Sequence, residues 1–371
     1  MASSDPSGLK LTSLTADAFA ASASPSELAE AAYTADGKLL TAAADGSVAL
    51  RDGSSGRILR TFRLAGEALT VSSDPTGPRI AAGGTGSEVR TWRLDSNAAG
   101  TSIDVGDAWV HSVAFRPDGR VLAIAVDHSK GEFESAFGPG TGLVRLVDLD
   151  TGRDAGAPIS YFDPPISVAW SPDGRRLAVA TANNVLHVHD VRTRRAVAPD
   201  IDNVDAPVTD VSFSPDGERV IGATASGVTR QWDASTGREV QPALVGPTGP
   251  VAGVAYSSDG RMLATTTLGL STTRLWEMPA GRSIGGDLVG GHVPYTTRTI
   301  SIPHFARSRA AFAPDGTHLA TAGAAGAAAL WDLRPEEWLR AACSVAGRDL
   351  TTAEWQEHLP AREPFALCPG A

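Results

Sequence analysis

Lysine is nearly missing from this chain of 371 residues: it occurs only at Lys10, Lys38 and Lys130, and the formal net charge is −10. No block of basic residues exists, and nucleic acid and anionic membranes select clustered Lys and Arg, so neither is expected as a partner. Long apolar runs are missing too. Nothing approaches the roughly 20 residues of a membrane span, and the polar first residues, with Asp5 among them, do not resemble a leader. A cytoplasmic setting is expected. Only two cysteines occur, Cys343 and Cys368, far from the density of a secreted disulfide scaffold; they could pair, but the cytosolic rule favours buried free thiols.

Catalytic signatures are also lacking. There is no Gly-x-x-x-x-Gly-Lys-Ser/Thr segment to cradle phosphates, and kinase, nucleophile-elbow and zinc-protease patterns do not occur. The chain therefore reads as a non-enzyme with no cofactor and no metal site. Gly83 to Gly86 and Gly138 to Gly142 look like phosphate loops, but both fall where a turn between strands is due. His187 and His189 lie two apart on an expected strand and so share a face. They could in principle hold one metal, but no third ligand is identifiable, and satisfied structural histidines are expected.

What is abundant is a repeated pattern. In the stretch 208–237, Val211 and Phe213 alternate with Ser212 and Ser214, the period of a strand with one buried face. Ser214-Pro215-Asp216-Gly217 then reverses the chain, with Pro at the second turn position and Gly at the fourth. A returning strand carries Val220 and Ile221, Ser226-Gly227 turns it again, and a third strand ends at Trp232-Asp233. The turn glycine recurs as Gly37, Gly77, Gly119, Gly174, Gly217, Gly260 and Gly316, in four steps of about 40 to 43 residues and two of about 55. A four-stranded propeller blade takes about 40 to 45. The copy at Gly77 is degenerate. Asp36, Asp118, Asp173, Asp216, Asp259 and Asp315 look like a carboxylate array, but each is a turn residue.

With strand pattern, turn residues, Trp-Asp endings and period all in agreement, the chain resembles the WD-repeat β-propeller family over about 27–333. The Thr236-Gly237-Arg238 and Gly291-His292 segments resemble a bacterial version. Arg51, Val147 and His189 stand in the motif's Trp position and most copies lack its Gly-His, so packing must replace part of the family's buried Asp-His-Ser-Trp network. The resemblance implies an all-β fold: a single seven-bladed β-propeller of four-stranded antiparallel blades, monomeric, with a short two-helix C-terminal appendage. The segment 1–26 precedes the propeller, and residues 9–14, with Leu9, Leu11 and Leu14 at their flanks, are expected to supply the last blade's missing outer strand. The tail at 334–371 has Pro335 and Gly347 bounding one helix and a capping box at Thr351 and Glu354 opening another. Its wording around Trp338, Cys343 and Trp355 resembles tails of repeat regions attached to STAND-class signalling proteins.

The two long spacings are candidate functional loops, since binding residues concentrate on loops held by a rigid scaffold. One insertion, from Asp127 to Gly142, joins the second and third strands of blade 3 and carries Phe133 and Phe137. The other enters blade 7 and carries Tyr295, Arg298, His304 and Phe305. Family geometry puts both on the top face, and mixed charge with aromatics suits a protein interface. These six residues are the candidate partner contacts of a scaffold or sensor module that binds a protein or peptide. Two alternatives stay open: a small-molecule or enzymatic propeller with its site at the channel mouth, and a detached sensor or autoinhibitory arm related to a STAND ATPase or kinase. The small-molecule reading needs His, Asp or Glu converging on the axis, whereas the first strands look mostly Val, Ala and Ser.

Overall fold

In a computed structural model, residues 4–5, 8–9, 17–20, 28–129, 142–202, 206–246, 249–267, 272–289, 309–322, 327–337, 343, 351 and 368 are described. The seven turn glycines separate the first two strands of seven antiparallel blades. Their first strands are Leu28–Tyr33, Ala68–Ser73, Trp109–Phe115, Pro165–Trp170, Val208–Phe213, Val251–Tyr256 and Ala310–Phe312. In six blades the later strands follow in chain order toward the rim, and in the seventh the outer strand comes from elsewhere in the chain. The all-β, seven-bladed expectation holds.

The turns work as their composition demands. In blade 5, Ser214 Oγ donates to Asp216, whose Oδ1 accepts the Glu218 amide at 2.9 Å, while the Arg219 amide donates to Ser214 Oγ at 3.0 Å. Gly217 sits at φ 72°, a region that L side chains rarely enter. Hydrogen bonds from Ser214 hold the Asp216 carboxyl below its usual range, against a smaller push from burial. The degenerate turn of blade 2 is built otherwise. Asp74 takes the Ser position and accepts from the Thr76 amide and Arg79 Nε, both at 2.9 Å, and Gly77 has no positive φ.

The core is not central. It is divided into seven apolar clusters, each filling the space between two neighbouring blades. Stability is then a sum over neighbour interfaces, so the weakest seam matters. Between blades 7 and 1 the buried cluster, among the described residues, holds Ala31, Leu39, Ala43, Ala320, Ala322, Ala328 and Leu330.

Trp at the end of the third strand packs over the second strand and donates to a Thr there. Trp276 Nε1 reaches Thr265 Oγ1 at 3.0 Å and Trp331 Nε1 reaches Thr321 Oγ1 at 3.2 Å. Arg51, in the same position of blade 1, donates from Nε to the equivalent Thr41 at 3.1 Å. Burial lowers its pKa to about 10. Blade 5 has Gly222 instead of Thr, and Trp232, 1 % exposed, has an Nε1 without a partner among the described residues.

Two expectations need correction. The ring is closed from the N-terminus, but by Asp17–Ala20, which pairs with Ala327–Asp332, and not by residues 9–14; Leu9 pairs instead with Ser4 in a separate ribbon. The strand at 17–20 leaves only 21–27 to cross from rim to axis, close to the short crossings 64–67, 105–108 and 246–250 elsewhere. Cys343 and Cys368 are not free thiols: they form a disulfide, with Cα atoms 5.3 Å apart. The compartment rule behind the thiol expectation carries no geometry, and a Cα separation of 5.3 Å is within bonding reach. In the tail where two helices are expected, 335–337 and Cys343 are helical, Thr351 and Cys368 are not, and the other positions lie outside the described residues.

Candidate functional site

Each blade has one end where the first strand begins, the second ends and the fourth ends, because its strands alternate in direction. Both insertions leave from that end: one between Asp127 and its strand partner Gly142, the other between Val289 and Ala310. The six candidate contacts, Phe133, Phe137, Tyr295, Arg298, His304 and Phe305, lie outside the described residues.

The stem of the first insertion is well anchored. His111, in the first strand of blade 3, places Nε2 3.0 Å from Asp127 Oδ2. Asp127 Oδ1 accepts from the Ser129 amide at 2.7 Å and from its hydroxyl at 2.6 Å. All three residues are buried. Burial alone would raise the Asp127 pKa, but the hydrogen bonds from His111 and Ser129 outweigh it and hold the carboxyl below its ordinary value.

The axis holds a feature that period-two reading misses. In six first strands a β-bulge occurs at the same place, just before Glu30, Thr70, Ser112, Ser167, Asp210 and Gly253. A bulge adds one unpaired residue and re-aims the side chain after it. Here it turns that side chain onto the next blade. Glu30 Oε2 accepts the Val71 amide, Thr70 Oγ1 that of Val113 and Asp210 Oδ2 that of Val254, each at 3.1 Å. Ser112 and Ser167 accept from Val168 and Val211 at 3.4 Å.

Arg309 takes the same place in blade 7 and cannot accept. It donates instead: Nη1 to Glu30 Oε1 at 2.6 Å across the seam, and Nη2 to Asp210 Oδ1 at 2.9 Å and Ser167 Oγ at 3.2 Å across the channel. Gly253, between them in blade 6, has no side chain to obstruct this reach. Burial would lower the Arg309 pKa, but the charges of Asp210 and Glu30 more than offset it, and the group stays protonated. Two acidic residues thus do converge on the axis, contrary to the expectation of a Val, Ala and Ser lining. Their oxygens are already occupied by an arginine and by backbone amides. The legible signal was a column of polar residues directly before the Val or Ala in six of the seven copies, with Gly253 in the other.

His187 and His189 share a face, with ring centroids 6.0 Å apart. His187 is satisfied, with Nδ1 2.7 Å from Asp200 Oδ1. His189 is not the satisfied histidine expected: it is 8 % exposed, and neither ring nitrogen has a partner among the described residues. Burial, helped by the neighbouring His187, lowers its pKa from 6.5 to about 4, against an opposing pull from Asp200. Among the described residues no group of three or more His, Cys, Asp or Glu is placed to hold a metal ion. Nor is any helix among them long and apolar enough to cross a membrane. Gly83 and Gly84 end a strand at a turn, as expected.

Comparison with known proteins finds WD40 repeats. A family model described as WD domain, G-beta repeat matches residues 160–190 and 202–233, the first three strands of blades 4 and 5. The chain is similar to WD repeat-containing protein SL1-17 of Schistosoma mansoni, 28% identical over 166 residues, which is 36% of this chain and 54% of that protein. It is also similar to WD repeat-containing protein VIP3 of Arabidopsis thaliana, 31% identical over 126 residues, 33% of this chain and 38% of that protein. The chain thus spans about half the length, or less, of these curated relatives.

Proposed function

We propose, from the premise of a seven-bladed WD-repeat propeller, that the chain is a non-catalytic interaction scaffold or sensor module whose top face takes a protein or peptide partner. The observation that carries this reading is the stem at Asp127. A buried His–Asp–Ser contact ties the departing end of the second strand, from which the first insertion grows, to the first strand of its blade, so whatever the insertion presents is offered from a rigid base. Phe133, Phe137, Tyr295, Arg298, His304 and Phe305 are the contact residues we assign to it, because aromatic and Arg anchors dominate interface energies. The state of the axis also supports the reading. A carboxylate that already accepts from a half-buried arginine and an amide is a poor proton carrier, which weighs against a small-molecule reaction at the channel mouth.

The test is affinity purification with three forms: the intact chain, a form whose insertions are shortened to ordinary turns, and the Tyr295→Ala/Phe305→Ala double variant. All three should melt alike. Partners held by the intact chain and lost by both altered forms support the reading, and a STAND-class ATPase among them would identify a sensor arm. Equal retention by all three forms would refute the top-face assignment.

A further inference from the structure

On the turn face, opposite the insertions, a cavity of about 840 Å³ opens between blades 3 and 4. Its existence follows from a break in the outer strand of blade 3, which pairs over Arg153–Asp154, leaves the sheet at 155–158 and rejoins at Ile159–Tyr161. Gly156 in that break has φ 114°, and a Cβ there would lie 2.8 Å from Arg194 Nη2. Arg194 of blade 4 uses the space: it donates to the carbonyls of Ala155 and Ala157, the latter at 3.0 Å. The wall is therefore clamped open. Val121 and Leu146 from blade 3 and Val191 from blade 4 form an apolar part of the lining.

Charge in the cavity runs against the rest of the molecule. The chain carries −10, yet the lining includes Arg116, Arg175, Arg192 and Arg194 against a single acid, Asp190. Asp190 Oδ1 is taken by Thr193, Arg116 is paired with Asp118, and Arg194 is engaged with carbonyls, which leave its charge in place. Arg175 and Arg192 are exposed, and neither side chain makes a hydrogen bond or ion pair with the described residues. Asp173 and Asp190 feel the charges of Arg175 and Arg192, but neither carboxylate forms an ion pair with them, and two exposed guanidinium groups beside the partly exposed Val191 leave a cleft that attracts anions in an acidic protein.

We propose that this cleft is a second docking site and takes an acidic peptide segment of a partner protein, with carboxylates on Arg175 and Arg192 and an apolar side chain between them against the half-buried Val191. A free inorganic anion fits less well. The two arginines rise from different turns of blade 4, and the apolar lining offers such an ion nothing, whereas a peptide with alternating character meets both features.

The experiment is fluorescence anisotropy on the full chain, with a labelled peptide of alternating glutamate and leucine and a control in which glutamine replaces glutamate. The acidic peptide should bind more weakly as salt rises, and the control should bind at least about tenfold more weakly. Arg175→Glu/Arg192→Glu should cut affinity about tenfold or more with an unchanged melting temperature, since neither side chain holds the fold. Arg175→Gln/Arg192→Gln should give a smaller loss in the same direction, which keeps the test valid if the charge reversal misfolds. The form with shortened top-face insertions should bind as well as the intact chain, so failure here is separable from failure of the top-face reading. Equal affinity for the two peptides, undiminished binding by the Gln variant, or displacement of the peptide by equimolar inorganic phosphate would overturn the assignment.

Discussion

Arg309→Met should destabilise this propeller more than a typical channel substitution. The guanidinium bonds to three blades other than its own: Glu30 of blade 1, Ser167 of blade 4 and Asp210 of blade 5. Glu30 and Asp210 have side chains 4% and 3% exposed, so methionine leaves two buried carboxylates facing an uncharged neighbour. Removing one partner of a buried ion pair costs about 3–5 kcal/mol. The Glu30 bond also crosses the seam where the buried cluster, among the described residues, has five alanines and two leucines, so little of that packing compensates for its loss. An unfolding entropy of about 2.1 cal/mol/K per residue over 371 residues makes the cost roughly 4–6 °C in Tm. Thermal melts followed by circular dichroism at fixed pH would measure it. Arg309→Lys should fall between, because one ammonium cannot span acceptors on both sides of the channel. Arg309→Met combined with Glu30→Gln and Asp210→Asn should recover most of the loss, since the unpaired charges are gone while carbonyl oxygens remain for the amides of Val71 and Val254. A single variant melting within about 1 °C of the parent, or a triple variant no better than the single, would refute the electrostatic account.

His189 should make the protein acid-sensitive. Its folded pKa of about 4 lies below its ordinary 6.5, so its contribution is full above pH 6.5, falls as pH drops toward 4 and levels off below. The gap corresponds to about 3 kcal/mol at about 1.4 kcal/mol per pH unit. His189→Phe should flatten the urea-measured stability profile over that window, and an unchanged slope contradicts the assignment. Gly222→Ala would bring a Cβ within 2.9 Å of Trp232 Cζ3 and 3.1 Å of Val208 Cγ1, and the overpacking should cost about 1–3 kcal/mol by denaturant titration. Protein isolated under alkylating conditions should show no reactive thiol until reductant is added, given the Cys343–Cys368 bond. An intact bond in that assay places the chain where disulfides persist, whereas two free thiols restore the cytoplasmic expectation.

The blade turns were readable because their chemistry is local. Ser214, Asp216 and Gly217 bond within a handful of residues of themselves, and the same arrangement recurs at Thr34, Ser171 and Ser257. Reading Asp216 and its copies as turn residues rather than as an acidic site followed from the same locality. Arg51 in a Trp position looked like a departure from the pattern, yet it keeps the bond to Thr41. A long guanidinium can reach the acceptor that an indole reaches, and residue type alone does not reveal that. The column of Glu30, Thr70, Ser112, Ser167, Asp210 and Arg309 was visible as letters but not as a site, because period-two alternation has no place for a bulge.

Period, turn chemistry and blade number are thus written into the amino-acid order, since φ preferences and side-chain bonds to nearby backbone act over a few residues. Which polar column faces the axis, which N-terminal segment closes the last blade, whether Cys343 meets Cys368, and where Arg175 and Arg192 open onto a cleft were decided by packing between blades. Those contacts join residues far apart in the chain, as Arg309 and Glu30 are, and they exist only once the ring has closed around its axis.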